Sequence, residues 1–356
     1  MKKLTVLITA AGGNSTPSYI DCLKNNFEKR QVKIVCSDIN NQPVIRFKAD
    51  SFHILPKANS KKYIDSLVKL CKNNKVDVIL PCSWSEVFSI SKNIEIFKEN
   101  NISVAVSNFE VIKKLMDKFS VYQLLNKYKI PVPKSFLVTN KKDFKNALMN
   151  LGYPKKTICF KPSKYSSSGG NRGFRILKVN NSLKDIILNQ KPGSADIDYE
   201  TAMRIFQEKN IELMVSEYLS GDEFSVHILA KKGKMLHCIP FHKKRSIHGH
   251  SLESSIVKNK ECVSICKKIV KILNADYNLN IQLKKSNSGK LKLIEINPRI
   301  GGGVSLPMAA GINLPYLGVK LALNEKLPVK KKYDNTTMFR YWKELFLKNS
   351  KTFELS

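Results

Sequence analysis

The chain has 356 residues, 42% of them hydrophobic and 25% charged, a globular composition with material for two or three cored domains. No run approaches the roughly 20 apolar residues of a membrane span, so that class is excluded. Basic residues outnumber acidic ones by 61 to 29, a formal charge of +32, which ordinarily points to nucleic acid or an anionic surface.

Here the positive charge is spread along the chain rather than gathered into a patch, and only eight of the basic residues are arginine. Lysine, asparagine and isoleucine are enriched together, as an AT-rich genome would dictate, so nucleic acid is not the expected partner. A field this positive still draws in an anionic substrate such as a nucleotide. The eight cysteines form no C-x-x-C pair and mostly lie in apolar runs, with Cys262 and Cys266 one turn apart on a helix. That fits a reducing cytosol, not a disulfide scaffold or a zinc site.

Met1-Lys2-Lys3 followed by Leu4 to Ala11 imitates a signal peptide, but the apolar run is short and Gly12-Gly13-Asn14 follows at once. A buried first strand entering a glycine turn is the better reading. Over residues 1–108, strands at Thr5–Thr9, Val32–Cys36 and Val76–Leu80 alternate with helices at Ser18–Glu28 and Ser60–Asn73. Strands separated by helices imply an α/β domain with a parallel, doubly wound sheet. The turn after the first strand is not G-x-G-x-x-G, so it is read as a tight turn and not as a dinucleotide site.

Val111–Tyr128 is patterned as one amphipathic helix, ended by Ile130-Pro-Val-Pro133. A strand at Ser135–Val138 and a helix at Lys141–Asn150 follow. The strand Thr157–Lys161 then opens into Pro162-Ser-Lys-Tyr-Ser-Ser-Ser-Gly-Gly-Asn-Arg-Gly173, and a strand resumes at Phe174–Val179. Strand, Ser/Gly loop, strand is the layout of a loop that folds over a ligand. Strands at Met214–Leu219 and Glu223–Ala230 flank Ser220-Gly221-Asp222. Ile281–Lys284 and Leu291–Ile296 form a hairpin about Ser286–Gly289. A helix at Asn313–Leu323 and a strand within Thr337–Trp342 complete the pattern.

Three segments carry chemistry. Backbone N–H groups at Ser168, Gly169 and Gly170 are little obstructed and suit phosphate oxygens, with Lys161 just before them and Lys118 at the front of the earlier helix. Taken alone, such a loop is also an ordinary surface linker. In Glu217-Tyr218-Leu219-Ser-Gly-Asp-Glu223 the strand end offers backbone groups to a purine edge and Glu223 offers a carboxylate to ribose, although an ordinary hairpin with two acids reads the same way. In Glu295-Ile-Asn297-Pro-Arg299 a carboxylate, a carboxamide and a guanidinium alternate on one face of a strand that runs into Gly301-Gly302-Gly303. Gln282 on the partner strand adds another oxygen. Hard oxygen ligands beside an arginine suit Mg²⁺ and phosphate.

In this order, Asp117-Lys118, Ile130-Pro-Val-Pro133, Phe160-Lys-Pro162 with Ser168–Gly173, Glu217-Tyr-Leu-x-Gly-x-Glu223, Asn280-Ile-Gln282 and Glu295-Ile-Asn-Pro-Arg299 resemble the ATP-grasp superfamily, in its carbamoyl-phosphate-synthase large-subunit-like branch. The resemblance spans about residues 110–325 and, more loosely, the first 108. It implies an ATP-grasp fold of two α+β subdomains clamping ATP over 109–330, with a lid at about 134–216. A pre-ATP-grasp domain over 1–108 would precede it, and a tail over 331–356 with a returning strand would follow.

The roles it implies are specific. Lys118, Lys161, Ser168, Gly169 and Gly170 would contact ATP phosphates. Glu217, Tyr218 and Leu219 would lie along adenine, with Glu223 on ribose. Gln282, Glu295 and Asn297 would hold Mg²⁺, or Mn²⁺ in its place, and Arg299 with Lys161 would stabilise the transferred phosphoryl group. The chain has length for one such unit, which favours a stand-alone cytoplasmic ligase over carbamoyl phosphate synthesis. Its partners would be a small carboxylate, an amine or similar nucleophile, and a second copy of the chain, with no membrane. For the acceptor, the sequence offers Glu86 beyond a strand end and Arg245 within His242–His250, read as a polar loop facing substrate. The competing readings are phosphorylation of bicarbonate or carbamate, a basic module binding nucleic acid, and a nicotinamide-dependent enzyme built on the first domain.

Overall fold

Leu4–Ile8, with all five side chains buried, forms the first strand, β1. The computed structural model describes residues 2–41, 43–165, 173–178, 184, 188, 193–208, 210–247, 249–329, 332–349 and 351–354. Within it β1 pairs in parallel with β2 (Val32–Asp38) and β4 (Val78–Leu80). Outside these lie β3 (Ser51–Ile54) and β5 (Ser103–Val104), giving the order β3-β2-β1-β4-β5. Strands buried on both faces carry continuous apolar runs, and helices cross over between them. The expected doubly wound sheet is present.

The chain divides into two compact units. One contains residues 1–113, 222–282 and 296–356, and the other contains 114–221 and 283–295. The second unit has the sheet β6 (Ser135–Val138), β7 (Ile158–Pro162), β8 (Arg175–Leu177), β9 (Asp196–Ile197) and β10 (Leu213–Glu217), in the order β6-β10-β7-β8-β9. β10 runs antiparallel to both β6 and β7. The helix Lys141–Leu151, capped by Asn140 and ended by left-handed Gly152, buries Phe144, Ala147, Leu148 and Leu151 at helical spacing. Phe144 stacks on Phe206 and meets Phe160 edge-on in that unit's core.

A further sheet runs β15-β14-β11-β12-β13-β16. Its strands are β11 (Glu223–Lys231), β12 (Lys234–Ile247), β13 (His250–Ile256), β14 (Tyr277–Lys285), β15 (Leu291–Asn297) and β16 (Thr337–Phe339). The returning strand expected in the tail is β16, antiparallel to β13. A final small hairpin joins β17 (Phe346–Lys348) to β18 (Lys351–Phe353). The helix Lys260–Leu273 buries Cys262, Ile265, Cys266, Ile269, Val270 and Leu273, so the two cysteines one turn apart are core. All eight cysteines are free, seven of them buried. Among the described residues no helix is long and apolar enough to cross a membrane.

Three expectations change. The helix expected over Val111–Tyr128 is two, Phe109–Leu115 and Lys118–Lys127. Asp117 breaks it, because its side chain accepts from the N–H groups of Phe119 and Ser120 and so starts a new helix. His242–His250 is not a loop: residues up to Ile247 continue β12 and His250 begins β13. Glu86 is not an open acceptor contact, since it is only 6% exposed within the helix Trp84–Lys92.

Candidate functional site

Within the second unit the chain gathers two lysines and a carboxylate. Ser163 Oγ donates to Asp117 Oδ1 at 2.6 Å, and Lys118 N donates to Ser163 O at 2.9 Å. Tyr165 N donates to Met116 O at 2.9 Å, so the segment after β7 is tied to the start of the helix Lys118–Lys127. This puts Lys118 Nζ 3.5 Å from the centre of the Tyr165 ring, a cation–π contact. The Tyr165 hydroxyl donates to Glu295 Oε1 at 2.7 Å. Lys161 Nζ donates to Ile294 O at 3.2 Å, and the Tyr122 hydroxyl donates to the same carbonyl at 2.8 Å.

Burial, followed by the charge of Lys161, lowers the Lys118 ammonium to a pKa of about 8, against the opposing pull of Glu295. Burial also lowers Lys161, and Glu295 again opposes it. Two partly desolvated cations facing one carboxylate leave a surplus of positive charge where water is scarce, which is the setting for a polyanion. Ser168, Gly169 and Gly170 lie outside the described residues.

At the end of β10, Glu217 N–H donates to Lys134 O at 3.1 Å, and its carboxylate accepts from Lys134 N at 2.8 Å and pairs with Lys292. Its carbonyl faces Cys159 Sγ at 3.6 Å. Leu219 is 6% exposed, and Lys284 Nζ lies 5.2 Å from the Tyr218 ring. The Glu217 side chain and N–H are thus engaged within its own unit, and its carbonyl already faces Cys159.

The first unit holds the remaining residues. Glu223 faces Lys243 across the β11–β12 ladder and forms an ion pair with it. Asn280 Nδ2 donates to Ser225 Oγ at 2.6 Å, and Gln282 Nε2 lies 3.5 Å from Asn280 Oδ1, so the Gln282 amide nitrogen is turned toward Asn280. Asn297 is buried, and its Oδ1 accepts from the Trp84 indole at 3.0 Å. Arg299 Nη1 donates to Ile300 O at 2.8 Å. Arg245 is exposed on β12 opposite Glu253. Asp38, at the end of β2, accepts from Gly12 N at 2.8 Å and from Asn40 N at 3.1 Å, so its carboxylate closes the glycine turn.

Among the described residues no group of three or more His, Cys, Asp or Glu side chains could hold a metal ion. Of the residues expected to hold Mg²⁺, the carboxylate of Glu295 belongs to the second unit, and the carboxamides of Gln282 and Asn297 belong to the first. These are hard oxygens of low total charge, suited to an ion that arrives with phosphate. Glu295 and Asn297 alternate on β15 and therefore share a face of that strand.

Sequence reasoning passed over Tyr122, Tyr165, Trp84 and His227. Tyr165 could have been noticed, since it stands between Lys161 and the Ser/Gly run. The contacts of Trp84 and His227 depend on tertiary packing and leave no local pattern. Burial lowers His227 to a pKa of about 3, helped by the charge of Arg299, so it is neutral at physiological pH.

Glu86 accepts from Thr9 Oγ1 at 2.7 Å, Tyr63 OH at 3.2 Å and Ser83 Oγ at 3.2 Å, and burial raises it to about 7. A carboxyl raised on folding stabilises most below its unfolded pKa, and that contribution is lost as pH rises through the folded value. Thermal melts of the wild type should therefore show this contribution, of order 3 kcal/mol at most, declining between about pH 4.5 and 7. Glu86→Gln retains hydrogen-bonding groups for its partners and should flatten that dependence. An unchanged slope in the variant would rule Glu86 out as its source.

Residues 6–105 match the family model described as the PylC-like N-terminal domain, and residues 209–344 match that of an ATP-grasp in the biosynthetic pathway with Ter operon. N5-carboxyaminoimidazole synthetase from Staphylococcus aureus is a similar solved structure, 15% identical with a TM-score of 0.68, the match covering 94% of this chain and 82% of that one. The biotin carboxylase domain of the Hydrogenobacter thermophilus 2-oxoglutarate carboxylase, solved with MgADP and bicarbonate, is 17% identical with a TM-score of 0.65, covering 92% and 71%. Phosphoribosylglycinamide synthetase from Anaerococcus prevotii is 18% identical with a TM-score of 0.60, covering 91% and 76%. At these identities the likeness is one of fold, and it runs over nearly the whole chain.

Proposed function

We propose, from the premise that this chain belongs to the ATP-grasp superfamily, that it is an ATP- and Mg²⁺-dependent ligase. It would activate a small carboxylate as an acyl phosphate, release ADP, and transfer the acyl group to an amine or similar nucleophile. The observation that carries this reading is the cluster of Lys118, Lys161, Tyr165 and Glu295, in which surplus positive charge is held partly dry by the Tyr165 hydrogen bond and the Ile294 carbonyl.

In this reading Lys118 and Lys161 bind the triphosphate, with Ser168, Gly169 and Gly170 supplying backbone donors. Glu217 and Leu219 offer backbone to adenine beside Tyr218, and Glu223 takes ribose by exchanging its Lys243 partner for a hydroxyl. Gln282, Glu295 and Asn297 hold Mg²⁺, which when bound neutralises charge on the phosphate oxygens. A carboxylate attacking the γ-phosphate is anion meeting anion. Lys161 and Arg299 oppose that repulsion by electrostatic stabilisation with little covalent help. Arg245, an exposed cation, is the group proposed to grip the acceptor. Exclusion of water protects the acyl phosphate from hydrolysis.

Protein, Mg²⁺ and ATP incubated with panels of small acids and amines should release ADP and phosphate. AMP and pyrophosphate as products would refute the acyl-phosphate scheme. Bicarbonate belongs in the panel, because one solved structure of this fold was determined with MgADP and bicarbonate. Before the acid is known, MgADP should raise the melting temperature, by the equivalent of about 2.7 kcal/mol at a hundred times its dissociation constant. Polynucleotide binding with a steep salt dependence and no nucleotide effect would favour the basic-module reading instead.

A further inference from the structure

The six-stranded sheet of the first unit finishes on an open edge. β16 follows β13 in the strand order, and no described strand pairs with its other side. Met338 lies opposite Ser254, Arg340 N donates to Leu252 O at 2.8 Å, and Ile256 N donates to Thr336 O at 3.0 Å. The ladder to β13 therefore uses the backbone of Thr336, Met338 and Arg340. In an antiparallel strand the alternate residues turn their N–H and C=O groups the other way, so those of Thr337, Phe339 and Tyr341 point out of the edge.

The side chains alternate too. Met338 and Arg340 turn toward their own unit, Met338 Sδ accepting from Ser305 Oγ at 3.6 Å and Arg340 Nη2 donating to Gly302 O at 3.2 Å. The opposite face carries Phe339 and Tyr341, 71% and 77% exposed, and Trp342 follows at 75%. Sheet edges are usually blunted by proline or by exposed charge, above all lysine. Thr337–Trp342 has no proline and no lysine, and its one charge, Arg340, is turned inward. The cations flanking it are matched, Lys343 with Glu354 at 2.8 Å and Lys244 with Glu253, the residue opposite Phe339, at 3.2 Å. A surface that used the chain's positive charge to hold nucleic acid or an anionic membrane would present unmatched cations beside its aromatics. A locally neutral aromatic edge fits a strand of its own kind.

We infer that two copies of the chain pair through β16, antiparallel about a twofold axis, and so join their six-stranded sheets. Such an interface uses the same patch on both copies. The pairing that engages all the outward groups sets Phe339 opposite Phe339 of the second copy, and Thr337 opposite Tyr341 of the second copy. Cross-strand aromatic pairs add to the backbone ladder. Phe339, Tyr341 and Trp342, at about 150–250 Å² each, supply on the order of 1,000 Å² over two copies, the least that a specific interface needs.

Sedimentation of the wild type should show a passage from monomer to dimer in the micromolar range, as an interface of minimal area implies. Phe339→Lys would face Glu253 within the monomer but set two ammonium groups opposite each other across the axis. It should weaken the dimer at least about tenfold and leave the melting temperature of the monomer near that of the wild type. Amide hydrogen exchange needs no variant and decides alone if Phe339→Lys does not fold. The N–H groups of Thr337, Phe339 and Tyr341 should gain protection as wild-type concentration rises, whereas those of Met338 and Arg340 should be protected throughout. A wild type still monomeric at about 100 µM, a dimer that Phe339→Lys leaves intact, or outward amides that exchange alike at low and high concentration overturns the proposal. Monomeric protein that instead sediments with phosphatidylserine vesicles would give this edge to a lipid surface and overturn it as well. The ligase reading stands under each of these outcomes.

Discussion

Replacing Glu295 by glutamine should lower turnover by at least about 10²- to 10³-fold while leaving the melting temperature near that of the wild type. The substitution retains an acceptor for the Tyr165 hydroxyl, so the 2.7 Å hydrogen bond that ties the segment after β7 to β15 can persist. What it removes is charge. Glu295 is the carboxylate that raises the pKa of both Lys118 and Lys161 against their desolvation. Without it the two ammonium groups lose the largest of the charges that oppose desolvation and shift further down, and one of the proposed metal ligands becomes neutral. Lys161→Ala should cost a similar factor through direct loss of a cation. The pH profile separates these effects from damage to the fold. Lys118 is charged below a pKa of about 8 and neutral above it, so wild-type kcat/KM for ATP should fall as pH rises through about 8. That limb should move to lower pH in Glu295→Gln and leave the accessible range in Lys118→Arg. Full activity of both Glu295→Gln and Lys161→Ala would remove the site assignment.

These effects also show what a linear pattern can and cannot disclose. The parallel sheet was legible because buried strands and crossover helices impose different periods on the apolar residues. The β14–β15 hairpin was legible because a Ser/Asn/Gly turn separates two apolar alternations. Lys118, Lys161 and Glu295 could be nominated from their positions at helix starts and strand ends. Tyr165 could not be given its role, because the hydrogen bond from its hydroxyl to Glu295 joins residues 130 positions apart. The break at Asp117 was missed because helical periodicity on either side masks a single capping aspartate. His242–His250 was mistaken for a loop because five of its residues from His242 to Ile247 are polar or charged. They are the partly exposed end of a 14-residue strand whose apolar half, from Cys238 to Phe241, is buried.

The glycine run after Arg299 has a different meaning in three dimensions from the one its composition suggests, and it carries the second large expected effect. A Cβ on Gly301 would lie 2.5 Å from His227 Nε2 and 2.6 Å from its Cε1, and one on Gly303 would lie 2.8 Å from Phe241 Cζ. These glycines are needed for space. His227 is 2% exposed and packs against Phe241, with ring centroids 5.0 Å apart, so neither ring has room to withdraw. Gly301→Ala should therefore destabilise the protein by about 1–3 kcal/mol, the usual cost of overpacking. It should also lower kcat, because Arg299 lies two residues upstream and its charge already bears on His227. Gly302→Ala is the internal control. Its Cβ would meet Ser15 Oγ at 2.6 Å, the end of a small rotatable side chain, so its cost should stay within about 0.5 kcal/mol. A double-mutant cycle tests the cause directly. His227→Ala opens the volume that the methyl group added at position 301 requires, so combining it with Gly301→Ala should cost less than the two single changes summed. Strict additivity would mean that His227 is not what Gly301 accommodates.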